Sequence, residues 1–313
     1  MPFSLATMRR LIAFAAASSL TVIATPAVAD APVVQAVSWV VVDGESGQTL
    51  VQNNADAERQ PASLTKLMTA YIVLDALKKG SLRWDEKIQV LASDVTEVDN
   101  DEAKMYLTPG QQVQVRQLVE GLIAASANDA ALVLARRVGG SLVGFEQMMN
   151  EAAHRLNMDR THFTTPSGIT TPGNYSTARD LTTLALRITK DHPEYYTFSA
   201  EQHFAFGKFK KRNKNWLLSK DPTVDGMKTG HTAAAGYCIV ATARRGQHSP
   251  AMKRRLFAVL LGAPTADARI SGADRLLNYG FSAYTDFLMT GPSGQRVVTR
   301  ATAPTSAGHL RRD

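Results

Sequence analysis

A serine and a lysine share one turn of a predicted helix near the start of the chain. In the stretch RQPASLTKLMTAYIVLDALKKG (59–80), Ser63 and Lys66 stand three residues apart, so their side chains lie on one face within mutual reach. A neutral amine at this distance can take the proton of a serine hydroxyl and make it a nucleophile. Taken alone, however, the pair fits a serine N-cap and a solvated lysine better.

The helix that carries this pair has the pattern of a buried element. Apolar side chains recur at three- and four-residue steps, and Pro61 suits the entry to a helix. A positive last turn followed by Gly80 is typical of a C-terminus. The repeating apolar positions are Leu64, Leu67, Met68, Tyr71, Leu74 and Leu77.

Two further motifs follow the first in the chain. Ser126-Ala127-Asn128 joins two predicted helices, and Lys228-Thr229-Gly230 lies on a predicted strand after an Asp225-Gly226 turn. Together with Ser63-x-x-Lys66 they form the ordered set S-x-x-K, S-x-N and K-T-G of serine β-lactamases and penicillin-binding proteins. Any one motif is weak, but three in this order favour a serine acyl-transfer enzyme.

The chain resembles the low-molecular-mass penicillin-binding proteins that are D-alanyl-D-alanine carboxypeptidases, from about Val37 to Phe281. The phrases SANDAALVLA, FTTPSGI, YSTARDL, VDGMKTGHT and AGYCIVATA all look like that family's own. The resemblance implies a mixed α/β, β-lactamase/transpeptidase-like fold. In that fold an antiparallel sheet with flanking helices faces an inserted, mainly helical subdomain across the active-site cleft.

The resemblance also implies roles for individual residues. Ser63 would be the nucleophile, Lys66 its base, and Ser126 a relay of the proton to the leaving amine. Asn128 would hold the backbone amide of the substrate, and Lys228 would be a second cation that anchors its terminal carboxylate. The implied substrate-binding residues are Thr229, Gly230, His231, Thr232 and Arg269.

A second feature that acyl transfer requires is an oxyanion hole. By resemblance, the backbone N–H groups of Ser63 and His231 supply it, and we interpret the His231 imidazole as packing or shaping the cleft. Arg269, in DARISGADRLLNYGF, matches the carboxylate-binding arginine of the family and stands before the predicted closing helix.

The implied activity is removal of the terminal D-Ala from peptidoglycan stem pentapeptides through a Ser63 acyl-enzyme, with β-lactams as covalent inhibitors. A class A β-lactamase would add a water-activating glutamate. The candidate Glu146 comes too soon after Ser126 and lies in an amphipathic helix, so we interpret it as a surface residue. A peptidoglycan D,D-endopeptidase, or a wall-peptide or penicillin-binding protein without turnover, remains an alternative.

The composition and the first 29 residues predict where in the cell the protein is located. The chain has 313 residues, 44% of them hydrophobic, which is enough for a substantial core. A charged start, the apolar run 11–23 and Ala27-Val28-Ala29 predict a signal peptide over 1–29, cleavage after Ala29, and a place in the periplasm or cell envelope. The net charge of +7 is clustered in segments that we interpret as solvated loops, and in an exported chain it favours an acidic wall polymer or membrane surface over nucleic acid.

The remaining sequence predicts the domain organisation. A β-hairpin over 38–54 precedes helices within roughly 63–200, and strands with a closing helix complete a catalytic domain over 30–282. Residues 283–313 have a low-complexity composition and predict a tail, without the β-rich domain and membrane-lying helix typical of the family. The single Cys238 predicts no disulfide, and scattered histidines predict no metal or cofactor.

Overall fold

The computed structural model of the protein describes residues 31–96, 98, 102–247, 249–291 and 294–301. The predicted signal peptide, residues 1–29, lies outside the described residues. Within the described part of the chain, no helix is long and apolar enough to cross a membrane.

Eleven strands and nine α-helices make up the described part of the chain. The strands are β1 (Ser38–Asp43), β2 (Thr49–Asn53), β3 (Lys87–Gln89), β4 (Gln112–Gln114), β5 (His203–Phe206), β6 (Phe209–Arg212), β7 (Val224–Thr232), β8 (Gly236–Gln247), β9 (Ser249–Ala263), β10 (Tyr284–Gly291) and β11 (Gly294–Ala301). The helices are α1 (Lys66–Lys78), α2 (Ser93–Thr96), α3 (Val115–Glu120), α4 (Asn128–Gly139), α5 (Leu142–Arg155), α6 (Ala178–Asp191), α7 (Tyr195–Ser199), α8 (Leu217–Lys220) and α9 (Ala266–Ala283).

A five-stranded antiparallel sheet in the order β2-β1-β9-β8-β7 forms the base of the molecule. Its side chains alternate between two cores because successive residues of a strand point to opposite faces. Val40 of β1 joins the core shared with the helical region, whereas Val41 joins the core beneath α9. Both faces are thus covered, which explains why the second half of β9, residues 256–261, is a continuous apolar run.

The helical region contains α1 to α7, which fall between β2 and β7 in the chain. The prediction of a buried first helix is confirmed, since α1 is buried along most of its length. Its start differs from the prediction, because Ala62–Thr65 form a 3₁₀ turn and the α-helix begins at Lys66. Ser63 therefore lies in the 3₁₀ turn, and Lys66 is the first residue of α1.

The segment after α9 does not match its predicted lack of structure. Tyr284–Gly291 and Gly294–Ala301 pair as an antiparallel hairpin, so the interpretation of a tail is wrong for these residues. The Tyr284 hydroxyl donates to the Leu50 carbonyl at 2.7 Å and ties the start of the hairpin to the sheet. Aromatic residues in the first segment and β-branched residues in both segments favour strand formation.

The basic cluster near β9 is also not solvated throughout. Arg254 and Arg255 are buried, where Arg254 pairs with Asp43 at 2.6 Å and Arg255 with Asp225 at 2.7 Å. Sequence composition cannot show these pairings, because the two carboxylates lie on strands that are distant in the chain. Buried arginines require such partners.

Candidate active site

Ser63 and Lys66 meet at the junction of the helical region and the sheet. The Lys66 Nζ lies 3.3 Å from the Ser63 Oγ, and Lys66 is 1% exposed. The preceding Ala62 has a φ of 50°, a left-handed conformation that is rare for a residue with a Cβ atom and that turns the chain into the 3₁₀ turn. The geometry thus brings the predicted nucleophile and base together.

The environment of Lys66 favours its neutral form. Burial lowers the pKa of Lys66 from 10.5 to about 7, and the cations Lys211 and Lys214 also lower it, whereas Glu102 raises it. The Nζ lies 2.5 Å from the Asn128 Oδ1 and 2.5 Å from the backbone carbonyl oxygen of Ser167. A neutral amine has two N–H donors, and these two acceptors use both of them, which leaves the lone pair for the Ser63 hydroxyl.

The S-x-N motif ends one helical segment and begins another. A single π turn, Gly121–Ala125, ends at Ser126, which adopts a left-handed conformation with φ 61° and is buried. Asn128 is the first residue of α4, and its side chain bridges Lys66 and Glu102. The π turn therefore directs the side chain of Asn128 at Lys66, although the two residues lie 62 positions apart in the chain.

The K-T-G motif lies on β7, the edge strand of the sheet, as predicted. Lys228 and Thr229 are buried, and the Lys228 Nζ donates to the Thr229 carbonyl at 2.9 Å. Burial, followed by Lys66, lowers the pKa of Lys228 well below its usual value. A substrate carboxylate would favour the charged form of Lys228.

Gly230 allows β7 to approach the 3₁₀ turn. A Cβ atom at Gly230 would lie 3.0 Å from both the Ser63 backbone nitrogen and the Pro61 carbonyl oxygen. The absence of a side chain therefore places the backbone of the third motif directly against that of the first. The preceding residues differ from the prediction, because Asp225 and Gly226 form no turn but lie within β7 at a shift in strand register.

The remaining predicted residues surround the end of β7. His231 is exposed, and the centre of its ring lies 4.0 Å from that of the Tyr237 ring. Partial burial lowers the pKa of His231, and the positive charge of Arg269 lowers it further. This stacking favours a packing role for the imidazole. The Thr232 hydroxyl accepts from the Ala235 N–H at 3.1 Å and shapes the turn into β8.

Arg269 differs from its predicted position before a helix. It lies in the first turn of α9, which Thr265 caps, and it is 3% exposed. Its guanidinium donates to the Gly230 carbonyl at 3.5 Å and to the Lys214 carbonyl at 3.2 Å. Arg269, the residue predicted to bind the substrate carboxylate, is thus hydrogen-bonded to the K-T-G strand and is buried.

Several site residues lie outside the three catalytic motifs, and none of them was assigned a role from the sequence. The Ser167 carbonyl accepts from Lys66, and the Asp129 carboxylate accepts from the backbone N–H groups of Met105 and Leu107. Lys211 lies half-buried on β6, opposite the buried Phe204, and burial followed by Lys214 lowers its pKa to about 8. Ser167 lies on a loop and Lys211 on a short hairpin, where apolar periodicity gives no signal, and Asp129 lies in the first turn of α4.

A cavity of about 230 Å³ opens beside Asn128. Glu102, Ser167 and Ile169 line it, and so does Glu146, which is half-buried and not the free surface residue that the sequence predicts. The helical spacing of α5 identifies its apolar face but not the neighbour at the edge of that face. Within the described residues, no group of three or more histidine, cysteine or acidic side chains could hold a metal ion.

Comparison with known proteins places this geometry in a known class. The structure is similar to penicillin-binding protein 5 from Haemophilus influenzae, with a TM-score of 0.83 and 33% identity over 89% of this chain and 86% of that one. It is also similar to penicillin-binding protein D2 from Listeria monocytogenes in a cefotaxime-bound form, with a TM-score of 0.72 and 33% identity over 81% of this chain and 100% of that one. The fold is that of the penicillin-binding proteins, which confirms the predicted fold class.

The sequence comparisons are more specific. The D-alanyl-D-alanine carboxypeptidase family matches over residues 25–265, and D-alanyl-D-alanine carboxypeptidase DacC of Escherichia coli is 39% identical over 90% of this chain and 70% of that protein. The chain therefore belongs to the D-alanyl-D-alanine carboxypeptidase family. It spans 62% to 70% of the length of several curated relatives that it matches.

Proposed function

We propose that the protein is a serine-type D-alanyl-D-alanine carboxypeptidase that removes the terminal D-Ala of peptidoglycan stem pentapeptides and is inhibited by penicillin. The observation that carries the proposal is the contact of Ser63 with a buried Lys66 whose pKa is lowered to about 7. At pH 7 about half of the Lys66 side chains are then neutral and able to accept a proton. Membership of the family supports the choice of substrate.

The reaction proceeds in two acyl transfers. The Ser63 Oγ attacks the carbonyl carbon between the two D-alanines while its proton passes to the Lys66 Nζ. The backbone N–H groups of Ser63 and His231 stabilise the oxyanion, and Gly230 supports this role because it brings the two backbones together. When the C–N bond breaks, the departing D-Ala amine takes a proton through Ser126. Water then hydrolyses the Ser63 ester.

Cations around the strand β7 hold the terminal carboxylate. Lys228 and Arg269 lie buried at this strand, and the side chain of Thr229 would hydrogen-bond to the same group. Asn128 would hold the backbone amide of the substrate. The amide bond of a β-lactam ring lies near a carboxylate, as the bond between the two D-alanines does in the substrate. A β-lactam would therefore acylate Ser63 and remain bound, as the cefotaxime-bound Listeria relative supports.

We also propose that the protein is exported to the periplasm or cell envelope after cleavage at Ala29, where stem peptides are found. The charged, apolar and Ala-x-Ala segments of residues 1–29 support this.

The test uses a peptide that ends in L-Lys-D-Ala-D-Ala. Wild type and Ser63→Ala are incubated with it, and the D-alanine released is quantified with and without benzylpenicillin. We expect release that depends on Ser63 and stops with penicillin. Penicillin labelling of Ser63 without D-alanine release would contradict the proposal and favour an endopeptidase or a binding protein.

A further inference from the structure

Glu102 contacts the catalytic centre through Asn128. The Asn128 Nδ2 donates to the Glu102 carboxylate, while the Asn128 Oδ1 accepts from the Lys66 Nζ at 2.5 Å. The chain around Glu102 is anchored, since the Ala103 carbonyl accepts from the Asn128 N–H at 2.7 Å and the Asp129 carboxylate accepts from the Met105 N–H at 3.0 Å. Asn128 thus links a carboxylate to the base of the reaction.

The carboxylate determines which end of the Asn128 amide faces Lys66. An ionised carboxylate can only accept hydrogen bonds, so it binds the NH₂ end of the amide and not the carbonyl end. If the amide were reversed, its oxygen would face the carboxylate of Glu102 and its hydrogens would face those of Lys66. The negative charge of Glu102 therefore holds the Asn128 oxygen toward the amine.

This orientation matters for the direction of the Lys66 lone pair. The Asn128 oxygen and the Ser167 carbonyl, each 2.5 Å from the Nζ, accept both hydrogens of a neutral amine. The lone pair then faces the Ser63 Oγ, 3.3 Å away. With the amide reversed, one N–H of Lys66 would lose its acceptor and would compete for the position of the lone pair.

We propose that Glu102 is a positioning residue of the reaction, which acts by fixing the Asn128 amide so that neutral Lys66 directs its lone pair at Ser63. The inference rests on the proposed function, and Glu102 lies in none of the three motifs. Its hydrogen-bonded path to Lys66 runs through Asn128.

The charge of Glu102 gives the proposal a second, separable consequence. The charged groups that act on Lys66 are Glu102 and Asp129, which raise its pKa, and Lys211 and Lys214, which lower it. Lys228 lies in the same site and is coupled to Lys66. Removal of the Glu102 charge lowers the pKa of Lys66, so the rise of the acylation rate with pH moves to lower pH.

The test compares Glu102→Ala and Glu102→Gln with wild type. The rate of Ser63 acylation by a fluorescent penicillin is measured from pH 5 to pH 9, together with Tm. At pH 8 we expect Glu102→Ala to react about tenfold more slowly, equivalent to about 1.4 kcal/mol of transition-state stabilisation. Glu102→Gln keeps an oxygen acceptor for the Asn128 amide but can also donate to its oxygen, so it fixes the amide less firmly and its rate should fall between those of wild type and Glu102→Ala. The acid limb, which is the rise of the acylation rate with pH, should move to lower pH in both variants.

Glu146→Ala is the matched control, because Glu146 is a half-buried carboxylate of the same cavity, whereas Glu102 is the carboxylate that accepts from Asn128. It should change neither the rate nor the acid limb. Wild-type behaviour of Glu102→Ala, or slower acylation in both Glu102 variants with an unmoved acid limb and a lower Tm, would overturn the proposal. If Glu102→Ala does not fold, an acid limb that does not move in the isosteric Glu102→Gln would also overturn the proposal.

The design separates this proposal from the proposed function. Wild type that is labelled by penicillin but releases no D-alanine would contradict the carboxypeptidase, while the acylation rates would still test Glu102. Wild type that shows neither labelling nor release would overturn both.

Discussion

The burial of Lys66 should make the stability of the protein depend on pH in a way that one substitution can isolate. The pKa of Lys66 falls from 10.5 in the unfolded chain to about 7 in the fully buried site. Between these values the unfolded state binds a proton that the folded state does not, so the free energy of unfolding rises with pH. The penalty is greatest below pH 7 and vanishes above pH 10.5.

The magnitude follows from the size of the shift. One pKa unit corresponds to about 1.4 kcal/mol, so the full penalty is on the order of 5 kcal/mol at low pH. Because Lys66 is half protonated at pH 7, about 2 kcal/mol of this penalty is lost between pH 7 and pH 9. Lys66→Met removes the titrating amine but keeps most of the length of the unbranched side chain. Its lost hydrogen bonds to Asn128 and Ser167 add a constant that cancels between the two pH values.

The assay is urea denaturation of wild type and Lys66→Met at pH 7, 8 and 9. We expect the difference in the free energy of unfolding, wild type minus variant, to increase by about 2 kcal/mol across this range. Lys228 contributes in the same direction, because Lys66 lowers its pKa as well. The exposed Lys87 supplies a control, since Lys87→Met removes a side chain that is solvated in both states. A difference that stays constant with pH would refute the reasoning, because Lys66 would then be charged at neutral pH and unable to act as the base.

Two further predictions concern Gly168 and Arg269. A Cβ atom at Gly168 would lie 2.0 Å from the Ala62 carbonyl oxygen at a φ of +78°, so Gly168→Ala should lower the free energy of unfolding by at least about 2 kcal/mol. Gly207→Ala, with a φ of +57° and open space, is its control in thermal unfolding, and an equal loss in both would exclude the clash as the cause. Arg269→Met should lower kcat/KM at least about tenfold for a peptide with a free C-terminal carboxylate but much less for the corresponding amide. Equal losses for the two peptides would argue against carboxylate binding.

The three motifs were predictable from the sequence because each one combines chemistry with a local geometry. The spacing of Ser63 and Lys66 places both side chains on one helical face whatever the tertiary structure. Short apolar segments bounded by turn residues likewise indicate the sheet strands, and the structure confirms a mixed fold with an antiparallel sheet. What the sequence could not indicate is that Ser63 lies on a 3₁₀ turn, since this depends on the backbone of Ala62 and its neighbours.

The roles of Ser167 and Glu102 were not predictable, for a physical reason. Ser167 contributes a backbone oxygen, which every residue type possesses, and Glu102 lies in a short irregular segment without periodicity. Arg269 was assigned only by resemblance, because an arginine that ends up buried has the same local pattern as a solvated one. Contacts of this kind depend on how the elements pack and not on the order of residues along the chain.

The position of the site explains why its base is neutral. Lys66 begins α1, so its side chain lies between the helical region and β7, and packing of the two regions excludes water from it. Folding itself therefore lowers the pKa, and Lys211 and Lys214 add to the effect as β6 and the segment after it approach. The same burial destabilises the folded state, as expected where activity requires an unfavourable environment for one group. A more stable protein with methionine at position 66 would lack the amine that contacts Ser63 and can accept its proton, so the stability lost at Lys66 is inseparable from the reaction.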